Sequence, residues 1–284
     1  MVGWFRSFLT HFPRLEEVRM PGEAKPTAEV NGVLWGTRAA DWAALQEGQC
    51  RPVYEAVLER LSVGPGTVLL DAGCGAGMAS QMAASRGARV TGLDASEALL
   101  AITRQRVPEG TFGCSDLETL TFADASFDVV TGFNSFQYAG NPGKALAEAR
   151  RVTKPDGSVA IVTWGPPEGM PAAALVAALR PLLPAPPPGA PGPFALSNEE
   201  ALRGFADSAG LKPESVFDVQ SPFHYASLED GVRGLGSSGV AARARNASSD
   251  EAVDRAHTEA LGAFRQPDGS YYIPAVFRCL IARA

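Results

Sequence analysis

The sequence is poor in the residues that build metal sites and disulfides. It holds four cysteines and three histidines in 284 residues, and no C-x-x-C pair. The cysteines stand far apart, at Cys50, Cys74, Cys114 and Cys279. That spacing is typical neither of a zinc site nor of a disulfide framework. We therefore expect reduced thiols, a cytoplasmic location and no metal.

Long apolar runs and basic clusters are also missing. No apolar run reaches the roughly 18 residues that a membrane span needs. Residues 1–12 are apolar, but no small-residue cleavage site follows them, which argues against a signal peptide. The 25 basic and 31 acidic residues give a net charge of −6, without Lys/Arg runs. We expect a small-molecule partner, and neither nucleic acid nor membrane; the sequence does not indicate an oligomeric state.

Glycine, by contrast, is concentrated in one short segment. Residues 68–77 read V-L-L-D-A-G-C-G-A-G. This pattern predicts a buried strand that turns tightly into a helix. Glycines at 73, 75 and 77 let the backbone approach a ligand where a Cβ would clash. The N–H groups that begin the helix face the same place, so the segment predicts a nucleotide site.

The spacing of these glycines distinguishes between kinds of nucleotide. A dinucleotide loop reads G-x-G-x-x-G, whereas here the sixth position is Met78. The carboxylate of Asp71 would repel a diphosphate but suits an ammonium group or a water network. The loop therefore favours a ligand that is cationic nearby, and a dehydrogenase remains the less favoured alternative.

Strand and helix patterns alternate along most of the chain, which predicts a parallel sheet with helices on both faces. Two later strands, separated by a helical insert, suggest an antiparallel edge. The predicted strands are 67–72, 89–94, 110–115, 127–133, 158–164, 212–220 and 271–281. The predicted helices are 52–61, 76–86, 96–106, 142–152 and 198–209, with two or three short ones in 228–264 and a turn at 154–157.

Four segments follow from this pattern. Residues 1–48 form an N-terminal arm and helical lid, and residues 49–165 form the nucleotide-binding core. Residues 166–196 are a proline-rich linker. Residues 197–284 complete the core and carry the helical insert, at about 227–265.

Polar residues follow the predicted strands where ligands bind in such sheets. Asp94 ends the second strand and can accept hydrogen bonds from both hydroxyls of a ribose. Ser96 is a plausible N-cap for the next helix. Residues 133–138, F-N-S-F-Q-Y, end the fourth strand.

The stretch D-A-G-C-G-A-G resembles motif I of the class I S-adenosylmethionine methyltransferases. Residues 127–130, the turn at 154–157 and residues 269–277 are also similar to that family, most of all to its ubiquinone/menaquinone-biosynthesis type. The resemblance is close over about residues 65–165. It implies a doubly wound, seven-stranded, Rossmann-like α/β sheet, mostly parallel with an antiparallel C-terminal strand, plus a helical lid. It also implies S-adenosylmethionine as cofactor and S-adenosylhomocysteine as product.

The resemblance carries cofactor roles onto several residues. An acid at the position of Asp116 caps the adenine amino group in the family, and the N–H of Leu117 suits a ring nitrogen. An N-terminal helix folds over the cofactor there, so Trp35 and Arg38 are expected to contact it. The full expected set is Trp35, Arg38, Asp71, Gly73, Cys74, Gly75, Gly77, Asp94, Ala95, Ser96, Asp116, Leu117, Phe133, Asn134 and Ser135.

The sequence thus predicts methyl transfer to a small, largely apolar or aromatic metabolite by in-line displacement, as in secondary metabolism. His224 is the first candidate for a general base, with Tyr138 and Tyr225 as alternatives. His257 looks solvated. Two other readings stay open: a cofactor-dependent cyclisation, and a cofactor-sensing or partner-binding module without acceptor chemistry.

Overall fold

A seven-stranded sheet organises the structure. The computed structural model describes residues 27–185 and 192–284; residues 1–26 of the predicted arm and lid, and part of the proline-rich linker, lie outside them. The strand order is β3-β2-β1-β4-β5-β9-β6, with a separate two-stranded sheet of β7 and β8. The strands are β1 Val68–Ala72, β2 Arg89–Asp94, β3 Thr111–Cys114, β4 Phe127–Phe133, β5 Thr153–Trp164, β6 Lys212–Gln220, β7 Phe223–Tyr225, β8 Tyr271–Ile273 and β9 Val276–Arg283.

Eleven α-helices lie in the described ranges, and most cover the sheet. They are α1 Thr27–Gly36, α2 Ala39–Asp41, α3 Arg51–Arg60, α4 Met78–Ser85, α5 Glu97–Arg106, α6 Pro142–Val152, α7 Ala173–Ala178, α8 Glu199–Ser208, α9 Leu228–Gly236, α10 Gly239–Ala247 and α11 Asp250–Leu261. A π-helical turn at Trp42–Gln46 and a 3₁₀ turn at Glu47–Cys50 join α2 to α3.

Strand β1 lies in the middle of the parallel part of the sheet. It pairs in parallel with β2 on one side and β4 on the other. Leu69, Leu70 and Ala72 are buried, because a strand inside a parallel sheet is covered on both faces. That burial explains why β1 reads as a nearly continuous apolar run.

The mostly parallel sheet with one antiparallel strand is confirmed, but the expectation that the antiparallel strand forms an edge is wrong. Strand β9 lies between β5 and β6 and is antiparallel to both, while the pairs among β1 to β5 are parallel. The second, third and fourth strands of the sequence pattern, and the strand at 212–220, agree with β2, β3, β4 and β6 to within one residue.

The prediction of one continuous strand over 271–281 is wrong. The chain leaves one sheet and enters the other at Pro274 and Ala275, between β8 and β9. Opposite this break, Ser221 and Pro222 separate β6 from β7, and the Ser221 N–H donates to the Ala275 carbonyl. Proline has no N–H to continue a ladder, so both strands bend at the same level.

The predicted turn at 154–157 lies inside the span of β5. Asp156 has a φ of +63°, and the pairing of β4 with β5 shifts register between Phe127 and Val129. The regular ladder resumes at Ser158, which is where the sequence predicted the strand to begin.

Residues 27–50, here called the lid, cross the carboxyl edge of the sheet. Helix α1 lies directly on the loop after β2: a Cβ on Gly32 would stand 2.1 Å from the Ala95 carbonyl oxygen. A Cβ on Gly36 would stand 2.7 Å from Ser96 Oγ. Two glycines one helical turn apart thus allow the lid to approach the strand ends.

Candidate active site

The glycine loop between β1 and α4 is built as the sequence predicts. Gly73, Gly75 and Gly77 all have positive φ, at +81°, +57° and +88°, a region that glycine enters without steric cost. A Cβ on Gly73 would stand 2.4 Å from Ser135 Cβ, and one on Gly77 would stand 2.6 Å from Thr103 Cγ2. These two glycines are therefore required by packing against the protein itself.

Gly75 differs from its neighbours in the loop. A Cβ there would meet only Glu47 Oε1 and Trp42 Nε1, each at 3.5 Å. Its backbone N–H donates to Asp94 Oδ2 at 2.9 Å. Gly75 therefore presents bare backbone toward the lid, at the position where a ligand would approach the loop.

Asp71 lies beneath the loop. Its Oδ2 accepts from the Ser80 hydroxyl at 2.7 Å, and its Oδ1 accepts from the Thr131 hydroxyl at 3.2 Å. Burial raises the pKa of this carboxyl to about 6, although both hydroxyls lower it. The sequence suggests an ammonium or a water network as partner, whereas the structure gives both oxygens protein partners, so Asp71 braces β1 against β4 and α4.

Asp94 stands at the end of β2, beside the loop. Its Oδ1 accepts from the Ser96 N–H at 2.8 Å, and burial raises the pKa of its carboxyl. The N-cap assigned to Ser96 is confirmed, because its Oγ accepts from Leu99 N. Ala95 follows Asp94 and touches the lid, so residues 94–96 join the loop to the lid.

Sequence reasoning missed Glu47, the buried acid of the lid. Its Oε1 accepts from Met78 N at 3.2 Å, at the start of α4, and its carboxylate pairs with Arg106. Arg106 also donates to the carbonyls of Ala76 and Ala43, each at 2.9 Å. Burial raises the pKa of Glu47, and Arg106 opposes that shift. The pair connects the lid, the glycine loop and the end of α5.

The segment after β4 closes the other side of the loop. Asn134 has a φ of +55°, a left-handed conformation that asparagine adopts more readily than most residues. Its Oδ1 accepts from Gln137 Nε2. The Ser135 hydroxyl donates to the Ala72 carbonyl at 2.5 Å. Phe133 packs edge-on against Tyr54, with ring centroids 4.8 Å apart.

The turn after β3 carries Asp116 and Leu117. Asp116 Oδ1 accepts from the Glu118 N–H at 2.9 Å, so the carboxylate stabilises its own turn. Leu117 packs partly against the main core cluster. Cys74 is buried in the glycine loop, and burial raises the pKa of its thiol, as expected for a space-filling residue.

Aromatic side chains of the lid gather over these strand ends. The Trp35 ring lies 5.0 Å from that of Trp42 and 5.5 Å from that of Tyr138, both edge-on. Asn31 donates to the Tyr138 carbonyl at 2.7 Å. The Trp42 indole N–H is buried and has no hydrogen-bond partner among the described residues. Gly75, which has no side chain, thus lies beside an unpartnered donor, which suits a polar ligand at this place.

Arg38 and the three candidate bases are spread around the site. Arg38 lies 3.6 Å from Asp250 of the helical insert. His224 is exposed on β7, with its ring 4.6 Å from that of Tyr272. The Tyr225 hydroxyl donates to Gln46 Oε1 at 2.6 Å, and burial raises the pKa of this phenol far above its usual value.

Of the three candidates, Tyr138 is the one whose ring contacts the lid tryptophan. Burial raises the pKa of its phenol as well.

The interpretation of His257 as solvated is wrong. It is 2% exposed on α11, and its Nδ1 has no hydrogen-bond partner among the described residues. Burial, and secondarily Arg245, lower its pKa to about 4. Within residues 27–185 and 192–284, no three His, Cys, Asp or Glu side chains could hold a metal. No helix in those ranges is long and apolar enough to span a bilayer.

Comparison with known proteins agrees with this geometry. Residues 70–161 match the family described as methyltransferase domain. The chain is 37% identical over 123 residues to a demethylmenaquinone methyltransferase of Renibacterium salmoninarum, covering 43% of this chain and 52% of that protein. It is 40% identical over 121 residues to a malonyl-(acyl-carrier protein) O-methyltransferase of Serratia marcescens, covering 43% and 46%. The chain thus spans about half the length of the curated relatives it matches.

A solved structure shares the fold. The crystal structure of the (4+2)-cyclase SpnF superposes with a TM-score of 0.53 at 21% identity, covering 81% of this chain and 79% of that one. The glycine loop, the acid after β2 and the family match are thus in agreement, and residues 70–161 are similar to a methyltransferase domain.

Proposed function

We propose that this protein transfers a methyl group from S-adenosylmethionine to a small, largely apolar or aromatic acceptor. The observation that carries the proposal is the convergence at one sheet edge of the bare Gly75 backbone, Asp94 and the Trp35–Tyr138 aromatic pair. The Gly75 backbone and Asp94 suit the cofactor. The aromatic pair suits a flat or apolar acceptor beside it.

The cofactor supplies a methyl group on a positively charged sulfur, which makes the displacement favourable. The residues of the chain then have to align the acceptor and exclude water, and alignment alone can lower a barrier by about 7–11 kcal/mol. The lid serves both purposes, since α1 touches the loop after β2 and Asn31 holds the segment after β4.

The proposed reaction uses no strong general base. The phenols of Tyr138 and Tyr225 have pKa values raised by burial, so both stay protonated near neutral pH. Tyr138 is then a hydrogen-bond donor that orients the acceptor, and its position beside Trp35 supports that role. His224 is exposed and packed on Tyr272, which favours a surface role over proton abstraction.

The test is calorimetric titration of the full chain with S-adenosylhomocysteine, with NAD as control, followed by an acceptor screen. Binding of the thioether without binding of NAD, and a product heavier by one CH₂, are the expected results. Failure to bind S-adenosylhomocysteine would refute the proposal. A product of unchanged mass would show that the domain uses its cofactor for another reaction, which one fold readily allows.

A further inference from the structure

The buried indole N–H of Trp42 is an unused hydrogen-bond donor beside the glycine loop. It has no hydrogen-bond partner among the described residues, whereas buried donors in native proteins are almost always paired. It lies beside Gly75, since its Nε1 is 3.5 Å from the place of a Cβ on that glycine. A ligand atom lying on Gly75 is positioned to accept this hydrogen bond.

A hydrogen-bond acceptor, the carboxylate of Glu47, lies close to the same glycine. Glu47 Oε1 also lies 3.5 Å from the place of a Gly75 Cβ. It accepts a hydrogen bond there from Met78 N, and a carboxylate oxygen can accept from more than one donor. Gly75, which has no side chain, therefore lies close to both the unpartnered Trp42 N–H and the Glu47 carboxylate.

Glu47 also restricts where a ligand carboxylate can bind. The first N–H groups of a helix are the usual place for an anion, but Met78 N already donates to Glu47. The other two acids near the loop have their oxygens engaged as well. Those of Asp71 are bound by hydroxyls, and those of Asp94 accept from Gly75 N and Ser96 N. Among these groups, Trp42 offers a free donor to an anion, and Glu47 offers an acceptor to a cation.

We propose that Trp42 and Glu47 together bind the amino-acid end of the cofactor. The indole N–H donates to the α-carboxylate, and Glu47 accepts from the α-ammonium. The two ends of this zwitterion are attached to one carbon, which matches a donor and an acceptor that flank one glycine. The inference rests on the proposed function, because it presupposes that the cofactor lies on the glycine loop.

Three adenosine ligands separate the two contacts by calorimetry, without any turnover. S-adenosylhomocysteine has both the carboxylate and the ammonium. Its decarboxylated analogue keeps the ammonium alone, and 5′-methylthioadenosine has neither. Trp42→Phe keeps an aromatic ring in place but removes the donor, and Glu47→Gln keeps the shape but removes the charge.

Trp42→Phe is expected to weaken S-adenosylhomocysteine about tenfold or more, as for a lost bond to a charged group. It should leave the other two ligands within about twofold of wild type. Glu47→Gln should weaken both ammonium-bearing ligands and spare 5′-methylthioadenosine. Trp164→Phe is the matched control, since that ring stacks on Phe277 at 4.8 Å and should change none of the three.

Equal weakening of all three ligands by Trp42→Phe would overturn the inference, because it would show a general role in lid packing. Unchanged binding of S-adenosylhomocysteine would overturn it too. If Glu47→Gln fails to fold, owing to the unpaired Arg106, the Trp42 comparison decides alone. Failure of wild type to bind any of the three would refute the proposed function instead.

Discussion

At the scale of single residues, the three loop glycines are glycines for different reasons. Gly73 and Gly77 face protein atoms too close for a Cβ, whereas Gly75 has ordinary contact distances around the place of its Cβ. Substitution therefore affects folding at two of these positions, and ligand binding at the third.

Gly75→Ala is expected to remain folded, at a cost of about 1–2 kcal/mol for the left-handed backbone. It should bind S-adenosylhomocysteine at least tenfold more weakly, because the methyl group covers the backbone that the ligand approaches. Gly77→Ala should cost clearly more stability, since it adds an overlap with Thr103 to a φ of +88°. Urea unfolding and calorimetry of both variants measure this, and tight binding by Gly75→Ala would contradict it.

His257 should make the stability depend on pH. Its folded pKa is about 4, below the usual 6.5, so the unfolded state binds more protons between these values. The free energy of unfolding therefore falls as the pH drops from about 6.5 to 4. Asp71 acts in the opposite direction, since its raised pKa gives stability at low pH that is lost as the pH rises through about 6.

His257→Phe should remove the loss of stability at low pH that His257 causes. The contribution of Asp71 to the free energy of unfolding should stay the same. Relative to wild type, the variant gains stability as the pH falls, by up to about 3 kcal/mol near pH 4. Urea unfolding of both proteins at pH 7 and pH 4.5 gives the difference. A constant difference at the two pH values would mean that His257 binds a proton as readily in the folded protein as in the unfolded chain.

These residue-scale features differ in how far the sequence could reveal them. The glycine loop, Asp94 and the Ser96 cap are local patterns within a few positions of a strand, and the sequence predicts them. Glu47 and Trp42 reach the loop from about 30 residues away along the chain. No local pattern marks such a contact, because it depends on how the lid crosses the sheet.

At the scale of elements, the lid is tied to the insert side as well as to the core. Gln46 binds the Tyr225 hydroxyl, and Gln49 exchanges two hydrogen bonds with the backbone of His224. Ion pairs join Asp41 to Arg233 and Arg38 to Asp250. The lid and the insert therefore close over the same sheet edge as partners, although exposed ion pairs add little stability each.

The contact between α1 and the loop after β2 can be tested by substituting two glycines that lie in helices. Gly32→Ala places a methyl group 2.1 Å from the Ala95 carbonyl oxygen, so α1 must move. We expect faster hydrogen exchange in residues 27–50 and weaker binding of S-adenosylhomocysteine.

Gly204→Ala is the control, because nothing lies within 4 Å of the place of its Cβ on α8. It should stabilise the protein by up to about 1 kcal/mol. Unchanged exchange of the lid in Gly32→Ala would show that α1 tolerates the methyl group, and the account of its packing would fail.

The observed bounds of helices and strands show which local sequence signals suffice to predict them. Residues 142–152 were predicted without error, since Asn141 caps α6 and Pro142 begins it. The three helices of the insert are capped by Ser227, Ser238 and Ser249, which agrees with the two or three short helices expected there. Pro274 signalled the break between β8 and β9, but the apolar pattern around it reads as continuous.

At the scale of the whole molecule, the mostly parallel sheet was predictable, whereas the place of β9 within it and the second sheet were not. Alternation of strand and helix implies parallel neighbours, and the helical insert implies a returning strand. The pairing of β7 with β8 involves three residues on each strand, far apart in sequence. Such short segments carry too few residues for a recognisable pattern.

Strand β9 is expected to be indispensable, because it pairs with β5 and β6 along its whole length. A chain that ends at Ala275 should lose the cooperative unfolding transition, since β6 then has no partner in the sheet. Circular dichroism during thermal unfolding measures this. A cooperative transition near the wild-type temperature would show that β1 to β5 fold as an independent unit.

The central position of β9 also has a consequence for biosynthesis. Strand β6 is synthesised before residues 221–275, yet its neighbour in the sheet is β9. During that interval β5 and β6 each expose a strand edge, which can pair with other nascent chains. The nascent protein is then most open to chaperones and to aggregation between completion of β6 and arrival of β9.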